Sequence, residues 1–108
     1  MHTDPIYGYR RAVSVMAAWE QTAALTGSRR HASVAAACRA IAIEHIRAAL
    51  AAEISDTERR DRLRIARETV DAAEQAAGRA AIAELRAALA ALAPEPAPPA
   101  AKRGDDDQ

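Results

Sequence analysis

Residues 31–54 read HASVAAACRAIAIEHIRAALAAEI and contain neither glycine nor proline. Because Ala is the strongest helix former, this composition predicts a helix. The larger side chains change face halfway along it, since Ile41 and Ile43 point roughly 160° apart at 100° per residue. We interpret residues 31–54 as one helix whose two halves pack against different partners. The alternative is a turn near Ala42 that divides the segment into two short helices.

Helical periodicity continues on both sides of this segment. Toward the N-terminus, a helix is predicted to open at Asp4-Pro5 and to end at Gly27, a residue that favours the left-handed conformation common after helices. Toward the C-terminus, Ser55 or Asp56 is a candidate cap for a further helix. We therefore predict an all-α fold of three helices, of which the last two form a long antiparallel hairpin. The predicted ranges are 5–26, 31–54 and 57–92.

Alanine supplies 31 of the 108 residues, and phenylalanine is absent. Because Ala buries little apolar area and a short chain buries only a modest fraction of its surface, the core of one chain would be thin. A neighbouring copy would supply the missing area, so we predict a homo-oligomer. The residues predicted to form its interface are Val34, Ile41, Ile43, Ile46, Leu50, Val70, Ala73 and Ala77.

The composition of the chain changes at residue 94. Residues 94–99 read PEPAPP, a pattern that ends the helix and favours an extended linker. The polar and charged residues that follow are expected to be disordered when free. We predict an N-terminal helix over 1–30, a helical hairpin oligomerisation domain over 31–93 and a disordered acidic tail over 94–108. The tail either keeps the protein soluble or docks on a partner protein through Lys102, Arg103, Asp105, Asp106 and Asp107.

The sequence contains no pattern typical of an active site, a metal site or a membrane protein. Cys38 and His45 share one helix face but lie roughly 10 Å apart, which is too far for a single metal ion. The carboxylates of the last helix alternate with arginines, as on a solvated helix face. No long apolar run is present to span a membrane, and the first residues lack the pattern of a signal peptide. We expect no catalytic residue, no metal, no cofactor and a soluble cytoplasmic protein.

The formal net charge is zero, from 15 basic and 15 acidic residues, but the first half of the chain is basic. Residues 1–50 hold six arginines against three acids, a balance of +3. This charge permits contact with nucleic acid through phosphates, with little sequence preference. Aromatic side chains, on which bases stack, make up only 3% of the chain, so binding is expected to be weak. The predicted contacts are Arg29, Arg30, Arg39 and Arg47.

Residues 33–43, SVAAACRAIAI, are similar to the first helix and turn of a helix-turn-helix motif, with Ala42 in the place of the usual turn glycine. Together with the Ala- and Glu-rich helix and the short charged tail that follow, this run resembles small terminase subunits of tailed phages and gene transfer agents. Those subunits form rings from helical hairpins, engage DNA and recruit a large ATPase and nuclease subunit through a C-terminal segment. The resemblance implies a non-catalytic DNA-packaging subunit whose partners are other copies, double-stranded DNA and a large terminase-like ATPase.

Two alternative functions stay open. In a coiled-coil adaptor or scaffold without nucleic acid, every arginine lies on a solvated face. In a small helical DNA-binding regulator or antitoxin, residues 33–50 read DNA, which requires a turn near Ala42 and a two-fold dimer. Binding of DNA by the predicted arginines requires that all of them share one accessible surface.

Overall fold

The computed structural model describes residues 5–93, and every regular element in that range is a helix. The helices are α1 (Tyr7–Thr26), α2 (Arg29–Ala51), α3 (Asp56–Ala73) and α4 (Arg79–Leu92). The predicted all-α fold is thereby confirmed for the described residues. The predicted number of three helices is wrong, because residues 57–92 form two helices rather than one. None of the described helices has the length and apolar character needed to cross a bilayer.

Helices α1 and α2 form a tight pair joined by two residues. Gly27 adopts the left-handed conformation at φ 68° and donates its backbone N–H to the Ala23 carbonyl oxygen at 2.7 Å, as predicted for the end of the first helix. Ser28 then caps α2, since its side chain accepts a hydrogen bond from the His31 backbone N–H at 3.3 Å. So short a connection sends α2 back along α1. The most extensive helix contact in the described range is therefore this pair, and not the predicted hairpin of α2 with the last segment.

Small side chains line the buried face of α2. Ala35, Ala42 and Ala49 recur at seven-residue steps on α2 and are all buried, a spacing that keeps one face toward a neighbouring helix. Helix α2 continues without interruption through Ala42, which confirms one helix rather than a turn there, but the helix ends at Ala51 and not at the predicted residue 54. The change of face between Ile41 and Ile43 leaves one large side chain outside the core. Ala42 is fully buried, whereas Ile41 is 50% exposed on the outer face of α2.

Helices α3 and α4 are separated at Gly78, which takes an extended conformation (φ −71°, ψ 160°) immediately before α4. Gly costs about 1 kcal/mol relative to Ala inside a helix, so this is the weakest point of the predicted long helix. The break lets α4 fold back on α3, where Arg86 contacts both Asp71 and Glu74 at 2.8 Å. It also brings the apolar face of α4 into the core through Ile82, Leu85 and Leu89.

The N-terminal caps of α1 and α3 differ in kind. Of the two predicted candidates, Ser55 is the cap of α3, since its side chain accepts a hydrogen bond from the Glu58 backbone N–H at 3.1 Å. Helix α1 begins at Tyr7, and Ile6 at its N-cap forms no side-chain cap. Asp4, the predicted cap, lies outside the described residues.

Two arginines of α3 close the other end of α2. Arg62 donates to the Ala49 carbonyl oxygen at 2.7 Å, and Arg59 donates to the Leu50 carbonyl oxygen. The last carbonyl groups of a helix have no partner within the helix and carry partial negative charge, so cations satisfy them well. These bonds anchor the start of α3 beneath the end of α2.

Helices α1 and α3 run in the same direction. The Tyr9 hydroxyl of α1 donates a hydrogen bond to the Ala66 carbonyl oxygen of α3 at 3.0 Å. Further along, Glu20 near the end of α1 lies close to Gly78, which follows α3. The core between the helices is formed by buried side chains from all four of them.

Candidate functional site

The four arginines predicted to contact nucleic acid do not share one surface. Arg29 and Arg30 are exposed at the start of α2. Arg39 points to the other helices and forms ion pairs with Glu84 at 2.9 Å and Glu20 at 3.7 Å, so that only 18% of its side chain is exposed.

Arg47 is exposed and pairs with Glu44 at 3.3 Å. At 1.5 Å per residue it lies roughly 27 Å along α2 from Arg29. Arg30 and Arg39 point about 180° apart at 100° per residue. The surface that the DNA-binding prediction requires is therefore not formed by these four side chains.

The residues predicted to form an oligomer interface divide between the core and the surface. Ile46, Leu50, Val70 and Ala77 are buried in the core of a single chain. Val34, Ile43 and Ala73 are partly buried, and Ile41 is half exposed. The predicted tail contacts, Lys102, Arg103 and Asp105, Asp106 and Asp107, lie outside the described residues.

An open groove of about 840 Å³ lies between α1 and α3. We call it the α1–α3 groove. It begins at Tyr7, Arg10 and Arg11 on the first turns of α1 and continues past Gln21 near the end of that helix. The remaining lining residues are small or apolar, with two hydroxyls among them: Val13, Ser14, Val15, Ala17, Ala18, Thr69, Ala72, Ala73 and Ala76.

Side-chain size explains why the groove forms where it does. The large Tyr9 fills the space between α1 and α3 at the level of Ala66. Beyond that level α3 presents Ala72, Ala73 and Ala76, and α1 presents Ala17 and Ala18. Because each Ala projects only a methyl group, the two helices leave open space that larger side chains would fill.

The groove is positively charged, since its lining includes Arg10 and Arg11 but no Asp or Glu. Both arginines are exposed, and Arg11 forms no ion pair with another described residue. A guanidinium offers several N–H donors in a planar fork that matches a carboxylate or a phosphate. The basic end of the groove is therefore suited to an anionic group.

Two exposed arginines elsewhere in the described range, Arg64 and Arg86, are each matched by two acids. Hydrogen bonds from Arg64 to Asp61 and Glu68 raise the pKa of its guanidinium. Hydrogen bonds from Arg86 to Glu74 and Asp71 do the same for the pKa of Arg86. Arg64 and Arg86 thus pair with acids of the same helix or of a neighbouring helix, whereas Arg11 has no such pair with a described residue.

Tyr7 is the aromatic side chain of the groove, and 57% of it is exposed. Sequence reasoning did not single it out. A signal was present, because Tyr7, Arg10 and Arg11 stand at positions i, i+3 and i+4 and so share one face of α1. An aromatic ring beside two cations on an exposed face is a combination found at sites that bind partners.

A smaller cavity of about 260 Å³ lies between α3 and α4. Its charged lining consists of Arg67, Asp71 and Arg86, of which Arg86 and Asp71 pair with each other. This internal pairing makes it a weaker candidate than the groove.

No metal centre is formed within residues 5–93, where no group of three or more His, Cys, Asp or Glu side chains could hold an ion. Cys38 is partly buried and packs against the core.

Comparisons of the chain with models of protein families, with curated protein sequences and with solved structures found no match. The resemblance to small terminase subunits therefore stays an expectation from the sequence. The case for a function rests on the geometry and charge of the α1–α3 groove.

Proposed function

We propose that the protein is a non-catalytic helical adaptor that binds an acidic peptide segment of a partner protein in the α1–α3 groove. The observation that carries this proposal is a groove lined by two arginines and an exposed tyrosine, with no carboxylate among its lining residues. It shares with the adaptor alternative the absence of nucleic acid, but it differs from that alternative because Arg10 and Arg11 bind the partner instead of lying on a solvated face.

Each part of the groove has a role in binding such a peptide. Arg10 and Arg11 pair with carboxylates at one end. Tyr7 provides a flat apolar face beside them, on which a proline or an aliphatic side chain packs. The Ala floor allows a peptide backbone to come close, and Gln21 supplies hydrogen-bonding groups along the groove.

Calorimetric titration with a synthetic peptide of three consecutive aspartates flanked by alanines tests this proposal. We call this probe the tri-aspartate peptide. Replacement of Arg11 by Glu removes an attraction and adds a repulsion. We expect at least about fivefold weaker binding, the change that corresponds to roughly 1 kcal/mol for an exposed ion pair.

Arg60→Glu is the matched control, because Arg60 is exposed on α3 and lines neither cavity. It makes the same change in net charge and should leave the affinity nearly unchanged. Equal losses in the two variants would show that the peptide responds to overall charge alone. Absence of binding at low salt, both to the native chain and to a chain whose tail acids Asp105, Asp106 and Asp107 are replaced by Asn, would refute the proposed function.

DNA packaging, implied by the resemblance to small terminases, is the second candidate function. It is supported by Arg29 and Arg30, which are exposed and form no ion pair with another described residue. Cations at a helix N-terminus oppose the helix dipole, so their presence there costs stability unless a partner compensates. Phosphate groups would do so.

Replacement of both Arg29 and Arg30 by Ala should weaken binding to all DNA sequences alike. It should also reduce the slope of log affinity against log salt by about 2. The double variant Arg60→Ala/Arg79→Ala removes the same charge from other exposed positions and is the control. Unchanged DNA binding in the first variant, or no DNA binding by the native chain, would count against this candidate.

A further inference from the structure

We infer that the chain carries its own occupant for the α1–α3 groove: its acidic segment Asp105–Asp107 docks on the Arg10–Arg11 end and competes with the partner peptide. This inference rests on the proposed function of the groove. It goes beyond that function because the partner can bind only after it displaces a segment of the same chain from the groove.

The first argument is the position at which α4 ends. Tyr9 of α1 bonds to Ala66 of α3, and Ala90 of α4 lines a cavity together with Arg67 of α3. The end of α4 and the beginning of α1 therefore lie at the same level along α3. This is also the level of Arg10 and Arg11, so α4 ends at the same level as the basic end of the groove, with α3 between them.

The second argument is reach. The backbones of helices α1 and α4 do not approach each other closely, whereas each lies against α3. Packed helices lie about 8–10 Å apart, so the path from α4 past α3 to α1 is roughly 20 Å. The residues from Pro94 to Gly104 span roughly 34 Å at the rise of an extended proline-type helix. Asp105 therefore reaches Arg11 without any movement of the four helices.

The third argument is chemical fit. The groove has two arginines and no acid among its lining residues, and the tail has three consecutive aspartates. Gly104 separates these acids from Lys102 and Arg103, so the acids enter the groove while the basic pair stays outside. Prolines of 94–99 match the exposed ring of Tyr7, since proline-rich segments dock on aromatic surfaces.

Docking within one chain is favoured by tethering. A short linker gives its attached segment an effective concentration of the order of millimolar. At this concentration the tail can occupy the groove of its own chain, although the same contact would be too weak to persist between separate molecules. A partner peptide must displace the tail. Its apparent affinity is therefore its affinity for the open groove multiplied by the fraction of molecules in which the groove is open.

Calorimetric titration of the full chain with the tri-aspartate peptide tests this inference. The variant Asp105→Asn/Asp106→Asn/Asp107→Asn keeps the size of the tail but removes its charge. We expect this variant to bind the peptide about three- to tenfold more tightly than the native chain. The control variant Glu44→Gln/Glu53→Gln/Glu68→Gln neutralises three exposed acids outside the groove and should bind like the native chain.

The outcomes separate the inference from the proposed function. Equal affinity in the native chain and the Asn variant, with both weakened by Arg11→Glu, would overturn the inference and leave the proposed function intact. Absence of binding in both would overturn both. An equal gain in the Gln control would show that net charge, and not the tail, sets the affinity, which overturns the inference.

Discussion

Tyr9 is fully buried between α1 and α3, and its hydroxyl donates a hydrogen bond to the Ala66 carbonyl oxygen. Burial raises the pKa of the Tyr9 phenol above its ordinary value of 10.0, because the charged form loses its hydration. The unfolded chain therefore releases this proton at a lower pH than the folded chain does. Between those two values, unfolding becomes more favourable as the pH rises.

This linkage predicts that the free energy of unfolding depends on pH through a single residue, Tyr9. The free energy of unfolding of the native chain should fall above pH 10 by up to about 1.4 kcal/mol per pH unit through Tyr9. Below pH 10 the contribution of Tyr9 is fully present. Urea unfolding measured from pH 8 to pH 11 on the native chain and on Tyr9→Phe checks this. Parallel pH profiles for the two proteins would contradict the account.

Ala42 tests the packing of the buried face of α2 at the scale of a single methyl group. It is fully buried, so Ala42→Leu must displace its neighbours and should lower the free energy of unfolding by about 1–3 kcal/mol. Ala40 is exposed on the same helix, and Ala40→Leu should change it by less than about 0.5 kcal/mol. Urea unfolding of both variants measures the difference. Similar losses would mean that the surroundings of Ala42 are not close-packed.

Local sequence chemistry predicted the helix ends well at this scale. Gly27 and Ser55 have roles that depend on their own backbone and their nearest neighbours, so the sequence is enough to identify them. The Tyr9 hydrogen bond and the Arg62 contact with the end of α2 join residues far apart in the chain. No local pattern determines which distant carbonyl group such a side chain meets.

At the scale of helices, the division between α3 and α4 is the main departure from the sequence prediction. Gly78 was recognisable as a weak point, but a cost of about 1 kcal/mol does not by itself break a helix. The apolar side chains of α4 gain burial when it folds back. That gain depends on the position of α2 and α3, so the local sequence does not reveal it.

A distance between α3 and α4 tests this fold-back directly. Arg67 and Ala90 line the same cavity, so spin labels at Arg67→Cys and Ala90→Cys should lie less than roughly 20 Å apart, with Cys38 replaced by Ser. One continuous helix would separate them by roughly 35 Å. Labels at Arg30→Cys and Arg47→Cys, roughly 26 Å apart along α2, calibrate the measurement. A distance near the longer value for the first pair would contradict the four-helix arrangement.

At the scale of the whole molecule, the four described helices of one chain bury a shared hydrophobic core. Residues of all four helices share it, including several that were predicted to contact a neighbouring copy. Self-association itself stays a prediction from the composition. The large apolar side chain still exposed on α2 is Ile41.

We expect light scattering to show association of the native chain, and Ile41→Asp to lower the measured mass, because it places a charge on the exposed face of α2. Leu25→Asp is the matched control, since Leu25 is 82% exposed at the end of α1. A native chain that stays monomeric would refute the prediction of an oligomer. Equal effects of the two variants would show that Ile41 is not the contact.

The groove could be predicted only in part. The shared face of Tyr7, Arg10 and Arg11 follows from their spacing on α1. The other wall, formed by Ala72, Ala73 and Ala76, could not be assigned, because the predicted hairpin paired the last segment with α2 and left α1 without a neighbour. The site arises from the packing of α1 on α3, which is a tertiary choice rather than a local one.

The central claim is that the α1–α3 groove binds acidic peptides, and its most direct test is where the tri-aspartate peptide binds. Backbone amide shifts of the ¹⁵N-labelled chain, followed during a titration, report this position. We predict that the largest changes occur at Tyr7 to Gln21 and at Thr69 to Ala76, and that a matched tri-lysine peptide causes none there. Changes concentrated at Arg29, Arg30 or α4, or spread evenly over the surface, would contradict the claim.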